Sequence, residues 1–166
     1  FLYANLEEPF QLTATTGPEG TTVFTYDDAG HLFSLRRAGV TYFVATDLLG
    51  SPRVVTTAAG LVVKVIDYDA FGNAIDSAPS FELPVGFAGG LVDTRTRWVR
   101  FGVREYEPLL GRFTSRDPLL FESERPNLYL YAKNDPVSAK DPHGFASVSA
   151  SAYTGFGGGF KLAVTG

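Results

Sequence analysis

Three aspartate–glycine corners set the strongest limit on what this chain can fold into. They are Asp27-Asp28-Ala29-Gly30, Asp47-Leu48-Leu49-Gly50 and Asp69-Ala70-Phe71-Gly72, the last followed by Asn73. Each closes a stretch of alternating polar and apolar residues: 21–30, 40–50 and 61–72. An aspartate at the start of a turn accepts backbone N–H groups. A glycine three residues later takes the positive φ that reverses the chain. The glycines stand 20 and 22 residues apart. A strand–turn unit recurring at that period predicts an array of β-hairpins. A further hairpin is predicted in 53–65, where β-branched arms flank Ala58-Ala59-Gly60.

Composition supports this and excludes several classes of function. The chain has 166 residues, 45% of them hydrophobic, with 14 Phe, 8 Tyr, 18 Gly and 10 Pro. That is enough for one real core and favours short strands over long helices. The net charge of −4 presents no basic field, so no nucleic-acid partner is expected. No apolar run reaches the roughly 18 residues of a membrane helix. There is no cysteine, which removes disulfides, thiolate metal sites and cysteine nucleophiles. The chain starts at Phe1 with no charged-then-apolar leader, so it is expected to be a fragment or a mature product.

The texture changes along the chain. Residues 1–86 carry the hairpin repeats. Residues 87–145 remain strand-like, and Arg95, Arg97, Arg100, Arg104, Arg112 and Arg116 fall there, interleaved with Asp93, Glu105, Glu107 and Asp117. These charges form either a cross-strand paired, solvated face or an arginine-lined wall that holds an acidic cargo. Residues 124–136 are compatible with a strand or a short helical turn. Residues 146–166 are small, polar and glycine-rich, a tail or the start of a truncated further domain.

Three Asp-Pro pairs stand out: Asp117-Pro118, Asp135-Pro136 and Asp141-Pro142. Asp-Pro is ordinary turn punctuation. Two such acids brought together are also the parts of an amide-hydrolysing pair, one carboxylate taking a proton from water and the other protonating the leaving nitrogen. Both readings stay open on residues alone. His31 and His143, far apart and without cysteine, make no metal site. The run 155–160 has glycines but lacks the Lys-Ser/Thr of a phosphate loop. No cofactor is expected. Trp98, among arginines, is expected to anchor the core.

The ordered series YDDAG, TDLLGSPR, IDYDAFGN, GFAGGLVD, VRFGVREYEPLLGRFTSRDP and NLYLYAKNDPVSAKDPHG resembles the C-terminal associated core of Rhs/YD-repeat proteins. Similar segments occur in the C components of insecticidal toxin complexes and, more distantly, in teneurins. The resemblance spans about residues 21–145. It implies an all-β fold: an antiparallel YD-repeat strip that spirals into a shell, with the associated core curling inward as a plug. It implies a secreted or cell-surface protein whose partners are the rest of the shell and a C-terminal effector. It also implies an intramolecular aspartyl autoprotease with Asp117 and Asp141 as carboxylates, Arg116 in support, and the cut between Phe145 and Ala146. The competing expectation is a surface or fibre-forming adhesive β-protein, self-associating through open strand edges and releasing no payload.

Overall fold

The computed structural model describes residues 1–18, 20–119 and 127–145, with the backbone of 148–149. Its first sheet has seven strands in sequence order: β1 (Ala14–Gly17), β2 (Gly20–Tyr26), β3 (Leu32–Arg37), β4 (Val40–Thr46), β5 (Pro52–Thr57), β6 (Val62–Tyr68) and β7 (Ala74–Asp76). Every neighbouring pair is antiparallel. The strip is thus an unbroken meander, as consecutive hairpins demand.

The corners form as their residues dictate, and they share one geometry. The Asp27 carboxylate accepts the N–H of Ala29 at 3.0 Å and of His31 at 2.8 Å. Asp47 does the same with Leu49 and Ser51, and Asp69 with Phe71 and Asn73. In each corner the glycine N–H closes on the aspartate carbonyl. The register shifts at Thr25/Tyr26 and Ala45/Thr46, just before two of these corners. The hairpin in 53–65 uses Thr57 instead, whose hydroxyl accepts the N–H of Leu61 at 3.2 Å.

Strand alternation sends one set of side chains inward. Phe24 pairs across to Leu35, and Val44 to Val55. With Leu12, Leu32, Ile66, Leu83 and Val85 they make one buried cluster. Lys64 lies on the same face and is buried. Its ammonium bonds to Asp76 and to the carbonyls of Ala78 and Phe81, pinning the chain that leaves the sheet.

A second, four-stranded sheet runs β11-β10-β9-β8: β8 (Leu91–Val92), β9 (Val99–Phe101), β10 (Arg104–Glu107) and β11 (Arg112–Phe113). Its inner face builds a separate aromatic cluster in which the Tyr131 ring lies 4.3 Å from that of Tyr106, 5.1 Å from Phe101 and 5.5 Å from Phe113. In the described part of 124–136, Leu130 makes one antiparallel bridge to Arg112 and residues 132–134 form a single short turn, so the stretch holds both a strand-like bridge and a turn. Then β12 (Ala139–Lys140) pairs antiparallel with β13 (Val148–Ser149). The rest of the expected tail lies outside the described residues.

The second sheet, the turn before it and β12 all bond to the end of the strip where the wall corners line up. Ser51 Oγ accepts the N–H of Ala88 at 2.9 Å, Tyr106 donates its hydroxyl to the Phe71 carbonyl at 2.8 Å, and Lys140 Nζ donates to the Leu49 carbonyl at 2.9 Å. Burial, and then the charge of Asp69, push the Tyr106 phenol well up, which keeps it a neutral donor. Gly72 leaves room for the Phe87 ring, which a Cβ there would meet at 2.4 Å. Trp98 is not the expected core anchor. It is half-buried and lines a surface cleft with Arg95 and Arg100, because Phe101, Tyr106 and Tyr131 already fill the centre. The fold is all-β and antiparallel throughout the described residues, and none of their helices is long and apolar enough to cross a membrane.

Candidate functional site

β10 alternates Arg104, Glu105, Tyr106, Glu107, with the first and third buried. That period of two places a guanidinium on the same inward face as the Tyr106 ring. Arg104 is 3% exposed and stacks on Phe113, its Cζ 3.6 Å from the ring centroid. A charge buried there requires partners. Two carboxylates from distant parts of the chain supply them. Arg104 Nη2 donates to Asp117 Oδ2 at 3.0 Å and to Asp141 Oδ2 at 3.2 Å. Nη1 donates to the Leu128 carbonyl at 3.2 Å. Burial pulls the guanidinium down from its ordinary value, and the two carboxylates push it back.

The remaining carboxylate oxygens are also committed. Asp117 Oδ1 accepts the N–H of Leu119 at 2.9 Å, while the Asp117 N–H goes to the Leu128 carbonyl at 2.8 Å. Asp141 Oδ1 accepts the N–H of Gly144 at 2.9 Å and of Phe145 at 3.0 Å. Asp141-Pro142-His143-Gly144 is therefore a further aspartate–glycine corner, and its two arms are β12 and β13. It differs from the wall corners in two respects: its Oδ1 accepts the N–H groups three and four residues on rather than two and four, and its second oxygen rests on a buried cation.

Asp117 and Asp141, 24 residues apart in sequence, are thus gathered on one nitrogen. Shared hydrogen bonding of that kind limits their separation to roughly 6 Å. Phe145 is held by its N–H to Asp141, and Ala146 lies outside the described residues. Arg116 is exposed, and its Nε donates to the Tyr129 hydroxyl at 3.3 Å, so the cation on the acids is Arg104. Asp135 is exposed and caps its own turn through the N–H of Ser138 at 3.2 Å, apart from the cluster. Arg104 was legible only as one of six arginines. The signal that singles it out is its position two residues before Tyr106 in a strand with outward Glu105 and Glu107. Of the other arginines, Arg100 pairs across the strands with Glu105 at 3.0 Å on the surface, as a solvated paired face requires.

Comparison with known proteins bears on the family and the fold. The family model described as the teneurin YD-shell matches residues 1–137. Teneurin-3 of Danio rerio is 36% identical over 153 residues, which cover 83% of this chain and 6% of that protein. Teneurin-m of Drosophila melanogaster is 33% identical over 153 residues, 87% of this chain and again 6% of the relative. The chain therefore spans a small part of the relatives it matches. Among solved structures, a crystal structure of TcdB2-TccC3 superposes on 75% of this chain with a TM-score of 0.65 at 22% identity, covering 7% of that chain. One of TcdB2-TccC3 without its hypervariable C-terminal region covers 80% of this chain at a TM-score of 0.65 and 21% identity, and 7% of that chain. These two likenesses are of fold.

Proposed function

Because this chain belongs to the teneurin YD-shell family, we propose that it is the closing segment of a shell on an exported or cell-surface protein, and that it cuts its own backbone after Phe145. Its partners in this reading are the remaining turns of the shell wall and a C-terminal effector held within. Residues 14–76 supply wall, and the second sheet, docked on the wall's corners, supplies the plug.

The observation that carries self-cleavage is the joint grip of Arg104 Nη2 on Asp117 and Asp141 while Asp141 also holds the N–H of Phe145. Hydrolysis needs water to add to the Phe145 carbonyl carbon. One carboxylate takes a proton from that water, and the other carboxyl, protonated, delivers its proton to the Ala146 nitrogen as the C–N bond breaks. The products are a new carboxylate on Phe145 and a new amine on Ala146. In this reading Arg104 is the group that keeps the two acids together. Since substrate and catalyst are one chain, orientation contributes on the order of 7–11 kcal/mol without a binding step.

The test is intact-mass analysis of the purified chain with time. Two species split between Phe145 and Ala146 are expected, while Asp117→Asn and Asp141→Asn each remain whole. Asparagine still accepts the backbone N–H groups through Oδ1 but turns a donor toward Arg104, so each variant is first shown to be folded by its circular dichroism. A wild-type chain that stays intact removes the catalytic half of the proposal.

One observation favours a second reading, a surface or fibre-forming assembly without payload. The outward face of the wall exposes Val23, Phe33, Phe43 and Val65, with the rings of Phe33 and Phe43 5.7 Å apart. Concentration-dependent self-association, abolished by Phe43→Lys, supports that reading.

A further inference from the structure

Besides the Arg104–Asp141 ion pair, the Asp141 corner meets the second sheet backbone to backbone. The turn between β9 and β10, Gly102-Val103, fits directly against it. A Cβ on Gly102 would stand 2.3 Å from the His143 carbonyl oxygen, 2.6 Å from its carbon and 2.7 Å from its Cα. A Cβ on Gly144 would stand 2.6 Å from the Phe101 carbonyl oxygen and 3.1 Å from the Arg104 nitrogen. Between these two approaches the Val103 N–H donates to the His143 carbonyl at 3.2 Å. None of these obstacles is a side chain that rotates away. The strand leaving this turn begins with Arg104, and the corner it meets carries Asp141.

We propose that Gly102 and Gly144 interlock as a gauge that sets Asp141 against Arg104, making Gly102 a positioning residue for cleavage after Phe145. This deepens the self-cleavage reading and rests on it. Arg104 and Asp141 are 37 residues apart, and each is mounted beside one of the two glycines. Any methyl group at 102 forces the His143 carbonyl outward, and the Asp141 corner moves with it. The displacement needed is of the order of 1 Å, and a misplacement of that size in a preorganised site costs about 100-fold in rate.

Gly102 also has a φ of +51°, so alanine there carries a backbone penalty as well as a clash. Gly60 separates the two. Its φ is +81°, it closes a wall hairpin, and a Cβ there meets nothing within 4 Å. The experiment compares Gly102→Ala with Gly60→Ala for self-cleavage, read by intact mass, and for the side-chain ¹H–¹⁵N signals of Arg104, read by NMR. Cleavage about 100-fold slower in Gly102→Ala, with a shifted Arg104 signal, is expected, while Gly60→Ala cuts as wild type with Arg104 unmoved. Wild-type cleavage in Gly102→Ala, or an unmoved Arg104 signal there, overturns the gauge. If Gly102→Ala fails to fold, Gly144→Ala approaches the same joint from the other side and is read the same way. An intact wild-type chain defeats the self-cleavage reading separately. The Arg104 signal then still decides whether the two glycines set the ion cluster.

Discussion

The corners at Asp69 and Asp141 begin from the same four-residue pattern and end in different states. At Asp69 both oxygens are used locally: Oδ1 by the N–H groups of Phe71 and Asn73, Oδ2 by the Asn73 side chain at 2.7 Å. At Asp141, Oδ1 again serves its own turn, but Oδ2 reaches a buried guanidinium 37 residues away. The first corner is closed on itself by Asn73, and the turn it shares with Asp27 and Asp47, an Oδ1 accepting N–H groups two and four residues on, is what repeats to build a wall. The second is open on one side to the tertiary structure, and that opening turns a structural device into a candidate reaction centre. A carboxylate becomes chemically interesting here through where its spare lone pairs go.

The largest test of this contrast is Arg104→Met. It keeps much of the apolar volume but leaves Asp117 and Asp141 buried at 9% and 2% exposure without their shared cation. Removing one partner of a buried ion cluster costs about 3–5 kcal/mol, and urea unfolding should show a loss of that size. A loss under about 1 kcal/mol would mean that the Asp141 corner is held as locally as the Asp69 corner. Next comes Gly72→Ala, where the wall corner itself meets the core. Its φ of +87° and the Phe87 ring at 2.4 Å predict a cost of about 2–3 kcal/mol, against about 1 kcal/mol for the open Gly60→Ala. Adding Phe87→Leu should recover part of the Gly72→Ala loss and none of the Gly60→Ala loss.

The smallest effect is electrostatic. Slight burial works to raise the Asp69 carboxyl, but the Asn73 side-chain N–H and the backbone N–H groups of Asn73, Phe71 and Gly72 outweigh it and hold it below its ordinary value of 3.8. A carboxyl depressed on folding contributes stability that is complete above its unfolded value and lost as pH falls through the folded one. Asn73→Ala should therefore lower stability slightly at neutral pH and flatten the acid-side fall below about pH 4, so that variant and wild type converge in acid. An unchanged acid slope would show that the backbone N–H groups alone hold this carboxyl down.

The wall was legible because its determinants are local. Asp27, Asp47 and Asp69 bond to N–H groups two and four residues on, and the strands between them alternate with period two, so both signals lie within one window of sequence. The gathering of Asp117 and Asp141 was foreseeable only through the motif resemblance, since no local pattern links acids 24 residues apart. Arg104 was harder. Among six arginines in a strand-rich stretch, its inward direction follows only once Tyr106 is known to face the core. Trp98 misled for the opposite reason: its size suggested the centre, but the tyrosines and phenylalanines of β9, β10 and the 127–131 segment had already filled it.

By itself, the sequence determined an antiparallel all-β strip turned by aspartate–glycine corners, because the hydrogen bonds that make such turns span only a few residues. Tertiary structure alone decided which arginine sits between the two aspartates, which glycines are needed for close approach, and which corner has an oxygen to spare. Those choices depend on two surfaces meeting. Burial, which makes an ion pair obligatory and a missing methyl group essential, exists only after the second sheet has docked on the first.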